Sequence, residues 1–284
     1  MPAVLSIQSH VAFGHAGNSS AVFPLQRLGV DVWPVLTVNF SNNSSYGSMR
    51  GPLIAPSDVA EVVKGIDERE VLPQVDAVLS GYQGAAEMGE VILDAAALVK
   101  RRNPHAIYCA DPVMGDVGRG FYARPGIPEF MRDHVTPAAD IMSPNLFELE
   151  FLTGRTTSSV AEVVEAAQQL RAMGPDVVLV TSVTGNDVPN DVLRMIAVND
   201  AGVWQVETPL LQRAFTGSGD LTTAMFLAHW LRSKDLAHTL EATASIVYSV
   251  LEQTTREGSR ELRLVAAQQN LVEPRFTFSS TRLC

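Results

Sequence analysis

Six short, nearly continuous apolar runs separated by helical patterns constrain this chain more than any other feature. They are AVLSI (3–7), VDVWPVLTV (30–38), VDAVLS (75–80), AIYCAD (106–111), ADIMSP (139–144) and DVVLVTS (176–182). Runs of this length without polar alternation suit parallel strands covered on both faces. The clearest helix between them spans 159–173. There Val160, Val163, Val164, Ala167 and Leu170 recur at helical spacing, Ser159 and Glu162 form a capping box, and Gly174 is read as the stop. Late in the chain LRMIAVN and GVWQVETP flank Asp200-Ala201-Gly202 and read as an antiparallel hairpin, followed by helices over about 219–232 and 236–256. The expectation is an α/β fold, a mainly parallel sheet with helices on both faces, formed by one domain over 1–284.

Hydrophobic residues make up 46% and charged residues 18%, enough apolar surface for a buried core of this kind. The formal net charge of −10 argues against nucleic acid or an anionic membrane as the main partner. An anionic ligand would therefore need local help from backbone N–H groups, an Arg or a metal ion. The two cysteines, Cys109 and Cys284, form no disulfide framework, which points to a reducing cytoplasm. MPAVLSIQSHVAFG has neither the basic start nor the long apolar run of a signal peptide, and no apolar run approaches the ~20 residues of a membrane span.

In open α/β sheets ligands bind where strands end and helices begin. The polar residues just after each run are Ser9, the 40–47 segment, Tyr82, Asp111, Asn145, Thr181 and the Gly217–Asp220 turn, all expected on one rim. Gly217-Ser218-Gly219-Asp220 stands directly before a long apolar helix. Its glycines let backbone donors curl around a phosphate at the positive end of the helix. An Asp there is repelled by phosphate, so it makes sense as a base taking a proton from an attacking hydroxyl. An ordinary acidic helix start satisfies the same pattern. The glycine spacing is not a dinucleotide fingerprint, and no P-loop, G-x-S-x-G elbow or H-E-x-x-H zinc site occurs.

Asp111 ends a strand run and Asp116 follows within a segment rich in Gly115, Gly118 and Gly120, which suits Mg²⁺ on a polyphosphate, directly or through waters, beneath a mobile lid. Asn145 and Glu148 have capping-box spacing, and Glu148 is also placed to orient metal-bound water. Asn18, Ser19 and Ser20 read as caps of the first helix, and FSNNSSYGSMRG (40–51) as a flap over a pocket or a solvated loop. His10 and His15 lack a third ligand at metal spacing.

Six segments, SIQSHVAFGHAGN, VNFSNNSSYG, LSGYQG, DPVMGD, SPNLFELEFLTG and GSGDLTTAMFL, occur in the order of the pyridoxal kinase family. The chain resembles that family nearly end to end, and most of all its bacterial branch. The resemblance implies the ribokinase-like three-layer sandwich and ATP-dependent phosphorylation of the 5′-hydroxymethyl of pyridoxal. It makes Asp220 the base and the Gly217–Ser218–Gly219 backbone the anion hole. It places Ser9, Ser44, Ser45 and Tyr82 at the pyridine substrate, and Tyr122 on a lid. Asp111, Asp116, Ser143, Asn145 and Glu148 fall around the nucleotide phosphates and Mg²⁺, with Asp111 and Glu148 nearest the metal. Thr181 and Ser182 match a phosphate and nucleotide contact, and Thr208-Pro209-Leu210-Leu211 cover the nucleotide. A homodimer is the family's usual assembly, and a monovalent-ion requirement stays open. The chain departs from the family at Asn43-Ser44, where His-Thr is frequent, and at Thr181, where some bacterial members carry Lys. It is also shorter than some relatives between Leu211 and Phe215. A hydroxymethylpyrimidine or other small-alcohol kinase of the same fold, and a pyridoxal-binding protein with little turnover, are the alternatives.

Overall fold

A computed structural model describes residues 1–283; Cys284 lies outside the described residues. Strands β1 (Ala3–Val11), β2 (Asp31–Phe40), β3 (Ala77–Ser80), β4 (Ile107–Ala110), β7 (Ile141–Met142) and β8 (Val177–Val183) form the parallel part of one sheet. β5 (Gly115–Asp116) and β6 (Gly120–Phe121) pair separately as a small antiparallel hairpin. β9 (Val192–Asn199), β10 (Gly202–Pro209) and β11 (Thr281–Arg282) extend the main sheet in antiparallel fashion. The order is β11-β10-β9-β8-β7-β4-β3-β1-β2, so all six apolar runs become neighbouring strands.

Alternate side chains of each strand enter different cores, because successive Cβ atoms point to opposite faces. Leu5, Ile7, Val78, Val178 and Val180 face one core with α2 (Pro56–Asp67), α3 (Ala86–Arg102), α6 (Leu146–Thr153) and α7 (Val160–Ala172). Short α4 (Ile127–Phe130) and α5 (Thr136–Ala138), joined by a π turn, lie on the same side. Val4, Leu79, Cys109, Val177 and Leu179 face the other core with α1 (Asn18–Arg27), α8 (Ser218–Ser233) and α9 (Leu236–Arg256). Burial of Cys109 pushes its thiol well above the usual range, with the Asp111 and Asp140 charges adding to the effect. Among the described residues no helix is long and apolar enough to cross a membrane.

Two local readings change. Asn18, Ser19 and Ser20 do not cap α1: the N-cap is Gly17, without a side-chain cap. The β1–β2 register slips between Gln8 and His10, and buried Asn18 turns inward to donate to the carbonyls of Gln8 at 3.2 Å and Val35 at 3.1 Å. Ser19 instead bridges to Val11, and Ser20 donates to the Gly217 carbonyl. An unsatisfied carbonyl inside a sheet costs more than an uncapped helix start beside solvent. At the end of α7 the C-cap is Met173, and Gly174 has no left-handed conformation. A Cβ there would overlap the Thr136 carbonyl, so this glycine serves a close backbone approach.

Candidate active site

The C-terminal ends of the parallel strands and the start of α8 enclose a cavity of about 540 Å³. A cavity of that size accommodates small organic ligands. Every residue picked out as a site candidate in the sequence lines it except Ser45. That residue belongs to a short 3₁₀ turn (Ser44–Tyr46), its hydroxyl and N–H both donating to Asn43 Oδ1, while Ser44 faces the cavity. The Ser45 hydroxyl and N–H are thus engaged within the turn rather than aimed into the cavity.

Gly217 is the N-cap of α8, with φ 83°. A side chain at this position would be strained by conformation and would also overlap the His15 carbonyl, so only glycine fits. Ser218, Gly219 and Asp220 follow as the first turn, where N–H groups lack helical partners. The Ser218 hydroxyl is occupied by the Phe215 carbonyl at 2.8 Å, which leaves its backbone rather than its side chain for an anion. Burial raises the Asp220 carboxyl above the usual carboxylate range, opposed by the N–H groups of Gly17 and of Asp220 itself.

Asp111 sits at the end of β4, only 6% exposed. Burial raises its carboxyl well above the usual range, and the nearby Glu148 and Asp220 charges push it further. Thr223, one turn after Asp220, donates to Asp111 Oδ2 at 3.1 Å and pairs with Ser143 at 2.6 Å. Asn145 and Glu148 form the expected capping box at the start of α6. Glu148 Oε1 also accepts from Met114 N–H at 2.9 Å, and Asn145 Nδ2 donates to the Gly115 carbonyl at 2.8 Å. These bonds pin the base of the β5–β6 hairpin, while Tyr122 lines the cavity and Val117, at the hairpin's tip, is exposed. Burial raises Glu148 to about 8, against the pull of its backbone donors.

Three carboxylates with raised pKa values at one site form a strong demand for positive charge. Their hard oxygen donors suit Mg²⁺. Among the described residues no cluster of three or more His, Cys, Asp or Glu side chains could hold an ion by itself. A cation here would therefore share its coordination with phosphate and water.

At the far end, Thr181 and Ser182 lie within β8, where its pairing with β9 is irregular between Val180 and Val183, and Ser182 has φ 55°. Such a conformation in a non-glycine residue beside a cavity carries local strain. Thr208, Pro209, Leu210 and Leu211 line the same end, and Tyr82 lines the cavity beyond β3. Sequence reasoning did not single out Thr223, Gly17, Arg213 or Tyr248, although all but Gly17 line the cavity. Thr223 had a signal: three residues after Asp220, it shares a helix face with it.

Residues 57–264 match the phosphomethylpyrimidine kinase family. Two bacterial relatives named pyridoxal kinase PdxY are each 52% identical. The one from Leifsonia xyli aligns over 99% of both chains, and the one from Rubrobacter xylanophilus over 99% of this chain and 97% of its own. Pyridoxal kinase from Leishmania donovani, solved with ADP and ginkgotoxin, superposes with a TM-score of 0.93 at 28% identity over 100% of both chains. A structure described as a phosphomethylpyrimidine kinase from Bacteroides thetaiotaomicron has a TM-score of 0.90 at 23% identity, covering 99% of this chain and 98% of its own, and so shares the fold. With the rim residues in place and half-identical relatives matching almost end to end, the chain belongs to the pyridoxal kinase family, built on the ribokinase-like α/β sandwich.

Proposed function

We propose that this protein transfers the γ-phosphoryl group of ATP to the 5′-hydroxymethyl of pyridoxal, giving pyridoxal 5′-phosphate and ADP. The observation that carries the reading is the placement of Asp220. Its carboxyl lies in the first turn of α8, at the cavity, with its proton affinity raised. A carboxylate so placed takes the hydroxyl proton as the new O–P bond forms. The Gly217–Gly219 N–H groups and the helix dipole face the charge on the transferred group. Phosphoryl transfer needs little covalent help, so alignment and charge neutralisation supply most of the rate.

In this reading Ser9, Ser44 and Tyr82 contact the pyridine. Ser143, Asn145, Asp116, Thr181, Ser182 and the Thr208–Leu211 segment contact nucleotide, and Tyr122 closes from the lid. Asp111 and Glu148 would hold Mg²⁺, which neutralises phosphate charge when bound. Without it their negative charges repel an approaching polyphosphate. We further infer that residues 1–284 act as one domain, in a homodimeric and cytoplasmic enzyme. The dimer reading draws on the first half of β2, the open edge of the sheet; its second half is already paired with residues 50–54.

The test is an ADP-release assay with Mg²⁺-ATP and, separately, pyridoxal, pyridoxine, pyridoxamine and hydroxymethylpyrimidine. Selective turnover of pyridoxal, with pyridoxal phosphate followed by absorbance, is the expected result. Turnover of the pyrimidine alone would move the substrate and keep the chemistry. No turnover of any, with measurable pyridoxal binding, would make this a carrier.

A further inference from the structure

The segment after α9 touches the site without lining it. Glu261 Oε1 accepts from Asn43 Nδ2 at 3.1 Å and from the Tyr46 hydroxyl at 2.8 Å, both in the flap. Its other oxygen, Oε2, accepts from the His15 N–H at 2.9 Å, in the loop between β1 and α1. Gly14 has φ 86°, and a Cβ on it would overlap the Glu261 carboxylate, so that loop closes tightly on the acid. The Arg260 guanidinium lies 3.7 Å from the centre of the Tyr46 ring and donates to the Ser45 carbonyl at 2.6 Å. Arg213, which lines the cavity, donates to the Ser259 carbonyl at 2.7 Å.

We propose that Glu261 is a positioning residue that latches the flap over the substrate end of the cavity, rather than a group that touches the reacting atoms. Ser44, which faces the cavity, lies between two residues fixed by this carboxylate, Asn43 and Tyr46. The same carboxylate fixes His15, whose carbonyl packs against Gly217. One acid therefore sets the flap relative to the catalytic turn. The role calls for a carboxylate because both oxygens must accept. A Gln in its place would turn an NH₂ group either onto the Asn43 and Tyr46 donors or onto the His15 N–H.

The proposal rests on the pyridoxal reading for the identity of the ligand beneath the flap. Its test compares wild type, Glu261→Gln and Tyr46→Phe by steady-state kinetics and by hydrogen exchange of residues 41–50. In Glu261→Gln the KM for pyridoxal is expected to rise about tenfold, and in Tyr46→Phe about threefold, the scale of lost hydrogen bonds. The KM for ATP should stay within about twofold and thermal midpoints close to wild type, since the nucleotide end is untouched. Exchange should quicken in 41–50 and nowhere in α8. An unchanged KM for pyridoxal in both variants would overturn the latch. So would unchanged exchange in 41–50, or a parallel rise of both KM values with a large drop in thermal midpoint. If Glu261→Gln fails to fold, Tyr46→Phe carries the same comparison. If wild type does not turn over pyridoxal, the functional reading fails, and exchange alone still decides the latch.

Discussion

Replacing Asp220 with Asn is expected to lower kcat about a thousandfold while pyridoxal and ATP still bind. The substitution keeps the shape of the side chain and an oxygen able to accept the Gly17 N–H, so the turn should hold its form. What disappears is the basic carboxylate that receives the hydroxyl proton, since an amide does not take it up. A primary alcohol is a very weak acid, so that proton is taken late in the transfer. The base therefore acts in the transition state far more than in the ground state, and its removal falls on kcat. The KM for ATP should be unchanged or lower, because a negative charge facing the phosphates has been removed. Single-turnover measurements with calorimetric binding separate these effects. Turnover within about threefold of wild type would take the base assignment away from Asp220.

The second large effect is a pH dependence of stability written into Glu148. Its pKa is raised in the folded protein from 4.5 to about 8, chiefly by burial. The folded state therefore keeps a proton that the unfolded state releases. Stability from this group is fully present below about pH 4.5 and is lost as pH rises through about 8. Between those limits the slope from one such proton is about 1.4 kcal/mol per pH unit. Asp111 acts in the same direction, and part of its own rise comes from the Glu148 charge. Denaturant unfolding of the ligand-free protein, run from about pH 5 to about pH 8, should show this loss, and Glu148→Gln should flatten it. The comparison of slopes is what matters, since Gln also gives up part of the capping box and shifts stability at every pH. Equal slopes in the two proteins would remove Glu148 as the source. Mg²⁺-ATP should flatten the wild-type slope too, by giving the carboxylate charge a partner.

Much of this arrangement could be read from the chain because it depends on local patterns. The six apolar runs became adjacent strands, since a run without polar alternation has no face to give to water. The Ser159–Glu162 and Asn145–Glu148 boxes formed as spaced, since each is closed within one turn. The rim positions followed from strand ends alone. What could not be read depends on contacts between distant segments. Asn18 was assigned to a helix cap, but a slip between β1 and β2 recruited it into the sheet. Gly174 looked like a helix stop, and its reason is the Thr136 backbone. Ser45 looked like a flap contact, but its neighbour Asn43 consumed its hydrogen bonds. Glu261 lies more than two hundred residues from Asn43, Tyr46 and His15, and no spacing rule links them. Glu148 caps α6 as its spacing indicated, and the same carboxyl lines the cavity beside Asp111.

The buried thiol of Cys109 gives this enzyme an internal clock. The sulfur lies in the core, on β4, which leads into Asp111, and burial holds it in the unreactive protonated form. An alkylating reagent can reach it only when β4 separates from its neighbours, so the rate of irreversible labelling measures the frequency of that opening. In Cys284→Ser protein, mass spectrometry would follow this one site. Nucleotide with Mg²⁺ should slow the labelling by tightening the end of the strand. Labelling at the same rate with and without nucleotide would show that β4 opens independently of the site it supports.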